Sequence, residues 1–545
     1  MLLAVSQAVD PPQPLFKQWL ASLLLGAVNI EQTKFLNWQD MSRLLGSVVR
    51  FPHPQRQELE RVATEASFGA LARFNAQLTG ADKQSDFYFD PHTKHYTGEQ
   101  NVLDGWCAAI RWADKAMHSD FIHSVRGEPL YFETTDNFAD LRQRFFEVVR
   151  RCRDTMQWSK QRVLSWVVDR GIFGAEVFEK VLEDSSMHLI TWEKGYKAQS
   201  WPPAGGVSGS MVIERARNRA EDVRCYHLAY GEGPWPKDSR LRQIVVQATN
   251  PKGRTIQVSI LSDDKERAAH EIIALIFSRW LQENDFKYLD KHFGINQITS
   301  YGIIEYENLR DAVTDRQVRS AQAKALQEQR RRLRSQQGRL LLTQATAAHQ
   351  ATQRRERIQQ LESTASSDQE NKELKRLHQG QTRYEKSDKT RQEKIQCLSR
   401  QLAQLDEEAQ AVQKTESRLE RLIQEKMVRM DPGKKRLMDS LRVIARNAFY
   451  LALAPFKKAY NNYRDDHDQF RELTQSAGVL EVQSDWIMVH IMPRVNFSPQ
   501  VCRIIAAVFE ELNLKQALLP DGSSRKLTFR LADRSELRVK LKRDD

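Results

Sequence analysis

Cysteine is scarce in this chain: five among 545 residues, at 107, 152, 225, 397 and 502, with no CxxC pair. That excludes a disulfide framework and a thiolate metal site, and it favours free thiols in a reducing compartment. Long apolar runs are missing too. The best, ASLLLGAV at 21 to 28, is far below the roughly 18 residues that span a bilayer and lacks signal-peptide flanks, so a soluble, unexported protein with no membrane partner is expected. Between residues 312 and 430 proline is absent and glycine nearly so, which removes the usual helix breakers. Acidic residues are in deficit, 71 against 83 Lys and Arg, for a net charge of +12 and a pI near 9.3. Such an excess favours a polyanionic partner, nucleic acid first.

What is present divides by composition. Hydrophobic residues make up 40% of the chain, enough for globular parts, while a mean hydropathy of −0.62 indicates a long solvated segment besides. The length predicts about two to four domains. Residues 1–80 read as helical, with two helices around the turn FPHP, a pattern shared by small DNA-reading modules and by α-rich domains generally. Residues 81–310 read as a mixed α/β unit: strands DFYFD and PLYFETTD, the helix NFADLRQRFFEVVRRCRD, the buried strand VLSWVVD, and the strand MHLITWEKG after another helix. A β-rich, glycine-punctuated insertion is expected at 195–264, before one helix that starts near 267 and runs through RWLQENDFKYLD. Residues 311–430 carry coiled-coil spacing, with Leu326, Leu333 and Leu340 seven apart and Leu398, Leu402, Leu405, Ala409, Val412, Leu419 and Ile423 in 4-3 alternation. Because STASSD at 363–368 interrupts the two halves, an antiparallel helical hairpin is expected. A helical stretch at 431–475 and a small α+β piece at 476–545, closed by a hairpin in KLTFRLADRSELRVKLK, complete the chain.

The stretch RVLSWVVDRGIFG, residues 162–174, ends a buried strand on a carboxylate. Asp169 reads either as an N-cap for the helix after it or as a metal ligand, and the second reading needs acidic partners. Asp90 ends DFYFD, and Glu283 lies in RWLQEN. With FYFDPHTKHYTG, VVDRGIFG and SILSDD before the Glu helix, this spacing of Asp, Asp and Glu resembles the DDE transposases of bacterial insertion sequences. Arg279 and Glu283 match the R-x3-E of that group's Y-R-E-K signature, while Ile276 and Asp290 stand at its Tyr and Lys positions and Lys287 and Lys291 lie nearby.

The resemblance implies a ribonuclease H-like core at 81–310, completed by 431–475, in which Asp90, Asp169 and Glu283 are catalytic and hold two Mg²⁺ ions, with Mn²⁺ as a substitute. Phosphodiester transfer needs hard cations at the nucleophile and the leaving oxygen, and these take carboxylate oxygen rather than Cys or His. Arg279, Lys287 and Lys291 are then candidates to hold DNA phosphate. It further implies cleavage at element ends and joining of the 3′-OH to target DNA, by a homodimer on that DNA, in a bacterial cytoplasm at the nucleoid. Two alternatives stand beside it: a hydrolytic nuclease or domesticated relative with the same triad, and a non-enzymatic coiled-coil scaffold. His92 and His95 read as turn histidines or DNA contacts, Trp192 as a core residue or a stacking platform for a flipped base, and Asp263 and Asp264 as caps of the Glu helix.

Overall fold

The computed structural model describes residues 1–107, 110–203, 205–364, 367–519 and 523–532. The chain divides into two units, residues 1–303 with 428–545, and residues 304–427. None of the described helices is long and apolar enough to cross a membrane.

Five helices open the first unit: α1 (Leu2–Gln7), α2 (Pro14–Leu24), α3 (Trp38–Leu45), α4 (Pro52–Val62) and α5 (Glu65–Thr79). The stretch QRQELERVATEASFGALARF, expected as one helix, breaks where Thr64 caps α5 by accepting from the Ser67 N–H. Next come the ten strands of one mixed sheet: β1 (Asp86–His95), β2 (Asp104–Cys107), β3 (Trp112–Ser124), β4 (Pro129–Thr135), β5 (Leu164–Val168), β6 (Met187–Trp192), β7 (Gly209–Ala216), β8 (Val223–Trp235), β9 (Asp238–Thr249) and β10 (Thr255–Ser262). Their order is β2-β3-β1-β5-β6-β10-β9-β8-β7, with β4 also on β3. Strands β1, β5 and β6 run parallel to one another, while β3 pairs antiparallel with β1 and β4. The β-rich stretch at 195–264 is therefore no separate body. Its four strands extend the same sheet, joined through the antiparallel pair β6 and β10.

Helices α6 (Leu141–Met156), α7 (Ala175–Glu183), α8 (Ala269–Phe277) and α9 (Trp280–Phe293) follow the same chain order. Strand β5 shows why the layers form. Leu164, Trp166 and Val168 face Phe145 of α6 and Phe178 of α7, while Val167 faces Ile272 and Ile273 of α8. A strand buried on both faces reads as a continuous apolar run rather than an alternating one.

In the second unit α10 (Ala321–Thr364) and α11 (Asp368–Ala411) lie antiparallel, with Gln337 donating to Ser399 at 2.8 Å and Arg357 to Glu373 at 3.1 Å. Ser367 and Glu370 form a capping box at the start of α11. Leu419 and Ile423 do not continue the seam, because α11 ends at Ala411 and they belong to a separate short helix, α12 (Arg418–Gln424).

Back in the first unit, α13 (Gly433–Tyr460), α14 (Asp466–Thr474) and α15 (Pro499–Leu514) share a single core with the N-terminal helices. Trp19, Leu71, Phe293, Leu441 and Ile505 are all part of it. The strand Trp486–Ile491 pairs antiparallel with Gly478–Val482 and parallel with Lys526–Leu531. The second strand expected after Leu531 falls at residues 533 onward, outside the described residues.

Candidate active site

Strands β1 and β5 are parallel neighbours in the register Phe89 to Val168; Asp90 comes next on β1, which does not end there as expected but runs on to His95, and Asp169 is the first residue past β5. Adjacent strands lie about 4.8 Å apart, which sets the two carboxylates side by side at one edge of the buried layer. Asp169 does not cap α7, whose N-cap is Gly174. Its carbonyl instead closes a turn by accepting from the Ile172 N–H at 2.9 Å and from the Thr191 hydroxyl at 3.5 Å. That leaves the carboxylate pointing outward, 42% exposed, against 20% for Asp90.

Arg279 faces both acids. One guanidinium nitrogen lies 3.5 Å from Asp90 Oδ1 and the other 3.9 Å from Asp169 Oδ1, with the side chain 12% exposed. The helix expected from 267 is in fact two, and Arg279 is the N-cap residue of the second. Glu283 lies four residues further on, within α9. The Glu283 side chain lies outside the described residues. Among those described, no three Asp, Glu, His or Cys side chains cluster as a metal-binding group.

What fixes α9 is a buried polar lock that the sequence reading missed. Asp285, 2% exposed, accepts from Arg446 of α13 at 2.5 Å, and its second oxygen is 3.5 Å from His123 Nε2 on β3. Gln282 bonds the other His123 ring nitrogen at 2.9 Å, and the Arg446 guanidinium lies 3.7 Å from the Tyr450 ring centre. Burial pushes the His123 imidazole below its ordinary value and so favours the neutral ring. The β3 to β4 turn meets the same helix: Gly127 has φ +81°, and a Cβ there would sit 3.1 Å from Leu281. Polar residues on the apolar face of RWLQENDF were the available signal, but their partners lie on β3 and α13, far off in sequence.

The remaining candidates scatter. Lys287 is exposed, and Lys291 is paired with Asp468 at 2.9 Å. His92 is part of β1 rather than a turn: it stacks on Phe286 at 4.6 Å and bonds Asn296 at 2.8 Å, and burial lowers its pKa. His95, at the end of β1, lies 3.1 Å from Asp114. Trp192 packs edge-on against Phe277 at 5.4 Å, the core reading. Asp263 and Asp264 do not cap α8, which starts from Ala268. Asp263 accepts from His188 and from the Leu189 N–H, each at 2.7 Å, and that hydrogen bond raises the His188 pKa. Asp264 accepts from the Glu266 and Arg267 N–H groups, holding the turn before the helix.

Curated proteins give no match. Among solved structures, a piggyBac transposase synaptic complex with hairpin DNA is similar at 10% identity and a TM-score of 0.28, over 51% of this chain and 58% of that one. The chain thus spans less than two thirds of that protein's length. A family model described as "Transposase protein" matches residues 160–531, a stretch that includes Asp169, Arg279 and Glu283. Since that span takes in more than half of the 545 residues, the chain belongs to this family of transposase proteins.

Proposed function

We propose that the protein is a DDE-type DNA transposase whose Asp90, Asp169 and Glu283 form the catalytic set, on a ribonuclease H-like sheet. The observation that carries this reading is the pair Asp90 and Asp169 on adjacent parallel strands, beside a half-turn of chain that leads into the helix bearing Glu283. The strand order β4-β3-β1-β5-β6, three antiparallel strands and then two parallel ones reached through helices, supports the fold assignment.

The residues fit a divalent cation: two all-oxygen donors share one edge, and a guanidinium between them marks a place where positive charge is favoured. Two Mg²⁺ ions bound there would supply the charge that stabilises attacking and leaving oxygens in phosphodiester transfer. The chain's own part is placement. The middle of β1 holds Asp90 and the end of β5 holds Asp169, the Asp285 lock holds α9, and Arg279 presents a fork that can grip a non-bridging phosphate oxygen pair.

The test pairs wild type with Asp169→Asn and Asp90→Asn. Asn keeps size and hydrogen bonding but removes the charge a hard cation needs, so melting and DNA binding should hold while Mg²⁺-dependent nicking falls at least ~10²-fold. A variant that nicks at the wild-type rate overturns the assignment. Joined products in a strand-transfer assay separate transposition from simple hydrolysis, and their absence in an actively nicking protein would make it a nuclease.

A further inference from the structure

The positive charge of this chain is unevenly spread. Residues 316 to 339 carry eight Arg and Lys against a single acid, Glu328, whereas residues 340 to 411, the rest of the hairpin, carry twelve against eleven. Mixed charge is what a solvated coiled-coil face needs, and residues 340 to 411 have it. The excess at the base of α10 is therefore not explained by solubility.

The same stretch bounds a cavity of about 490 Å³ within the second unit. Arg319, Arg330, Arg331, Arg334 and Lys414 line it together with Ala323, Gln327 and Ala409, and no acidic or aromatic side chain does. The opening follows from the seam. Its positions on α10 run Ala323, Leu326, Arg330, Leu333, and α11 offers Ala409 opposite, so small and charged residues stand where a coiled coil packs leucine. Internal pairing leaves most of the charge in place. Arg330 pairs with Asp406, Glu328 takes Arg331 at 3.1 Å and Arg332 at 3.4 Å, and Arg319 donates to the neutral Gln327. Glu407 and Glu408 follow Asp406 on α11, yet neither lines the cavity.

We propose that this arginine-walled mouth of the hairpin is a second DNA-contacting surface, which holds the phosphate backbone of a duplex without reading its sequence. Guanidinium forks match phosphate oxygens in pairs, and the absence of lining aromatics removes the stacking platform a single strand would use. The inference rests on the reading that the protein works on DNA, and deepens it by naming where part of its affinity comes from.

The test measures binding of full-length protein to duplex DNA of element-end and random sequence across a salt series. Variants are Arg331→Gln/Arg334→Gln/Lys414→Gln and the charge-keeping Arg331→Lys/Arg334→Lys/Lys414→Arg. All three positions are exposed, Arg331 at 78%, so folding should survive. Each lost phosphate contact lowers the slope of log K against log salt by about 0.9, so the Gln variant should lose about 2 to 3 from the slope, equally on both DNAs. The charge-keeping variant should retain it. An unchanged slope in the Gln variant, with wild type binding and nicking normally, overturns this surface alone. Wild type that binds no DNA overturns both this surface and the proposed function. If inorganic pyrophosphate raises the melting temperature of wild type but not of the Gln variant, and the slopes agree, the cavity is a small-anion site and the DNA reading is wrong.

Discussion

Lys94 shows how far a single residue can depart from its sequence context. It lies on β1 four positions beyond Asp90, and burial, with Lys435 nearby, pushes its pKa down to about 7. The unfolded chain keeps a lysine pKa near ~10.4, so between about pH 7 and that value the unfolded state binds more protons. Stability conferred by the surroundings therefore rises with pH through that window, and the penalty for burying the charged form is full below pH 7. Lys94→Met should raise the melting temperature at pH 6.5, with the gain shrinking steadily toward pH 10. A gain that stays constant across those pH values would mean the ammonium is not desolvated. Asp169 stood out in the sequence because a carboxylate just past an apolar strand breaks its pattern, whereas the strand read as ending at Asp90 runs on to His95. Lys94, and likewise Asp120 of β3, which is buried and paired with Arg144 at 2.8 Å, did not stand out, because their partners sit on other elements.

At the scale of elements, legibility followed burial pattern. The strand β5 and the amphipathic helix α6 stand out by hydropathy alone, whereas WADKAMHSDFIHS, which forms β3, alternates charge with apolar residues in no strand-like period. Buried polar side chains there answer α6 and α9 across the core, and only the fold supplies those partners. The helix carrying Glu283 was read as continuous from 267, yet it restarts at Trp280. Its position depends on the Asp285 and Arg446 pair, both near 4% exposed or less. Asp285→Asn strips the anion from a buried guanidinium, a change worth about 3 to 5 kcal/mol, and should lower melting and nicking together. Replacing both partners by apolar residues, Asp285→Leu with Arg446→Met, should recover much of the melting temperature, because a buried ion pair and its hydrophobic substitute are close in stability. A double variant no more stable than Asp285→Asn would show that this pair does not hold α9.

For the whole molecule the division into two units makes a sharper demand. Ser320 donates its N–H to the Lys414 carbonyl at 3.0 Å, and the strand Gln317–Arg319 pairs with Thr415–Ser417, so the chain returns to its starting point after 91 residues of α10, turn and α11 (321–411). Loop closure across so short a gap costs little, and a few Gly and Ser residues can replace 321–411 without moving either flank. Asp90, Asp169, Arg279 and Glu283 all belong to residues 1–303, which form one compact unit with 428–545. The deletion should therefore leave the main melting transition close to that of wild type. Nicking of pre-cut DNA ends should persist at low salt, where weak backbone binding suffices, and fail earlier than wild type as salt rises, because the arginines of α10 are gone. The measurement is nicking rate against salt for both proteins beside their melting curves. A deleted protein that melts normally yet does not nick at any salt would place the hairpin inside the active centre, and the catalytic set would then be incomplete without it.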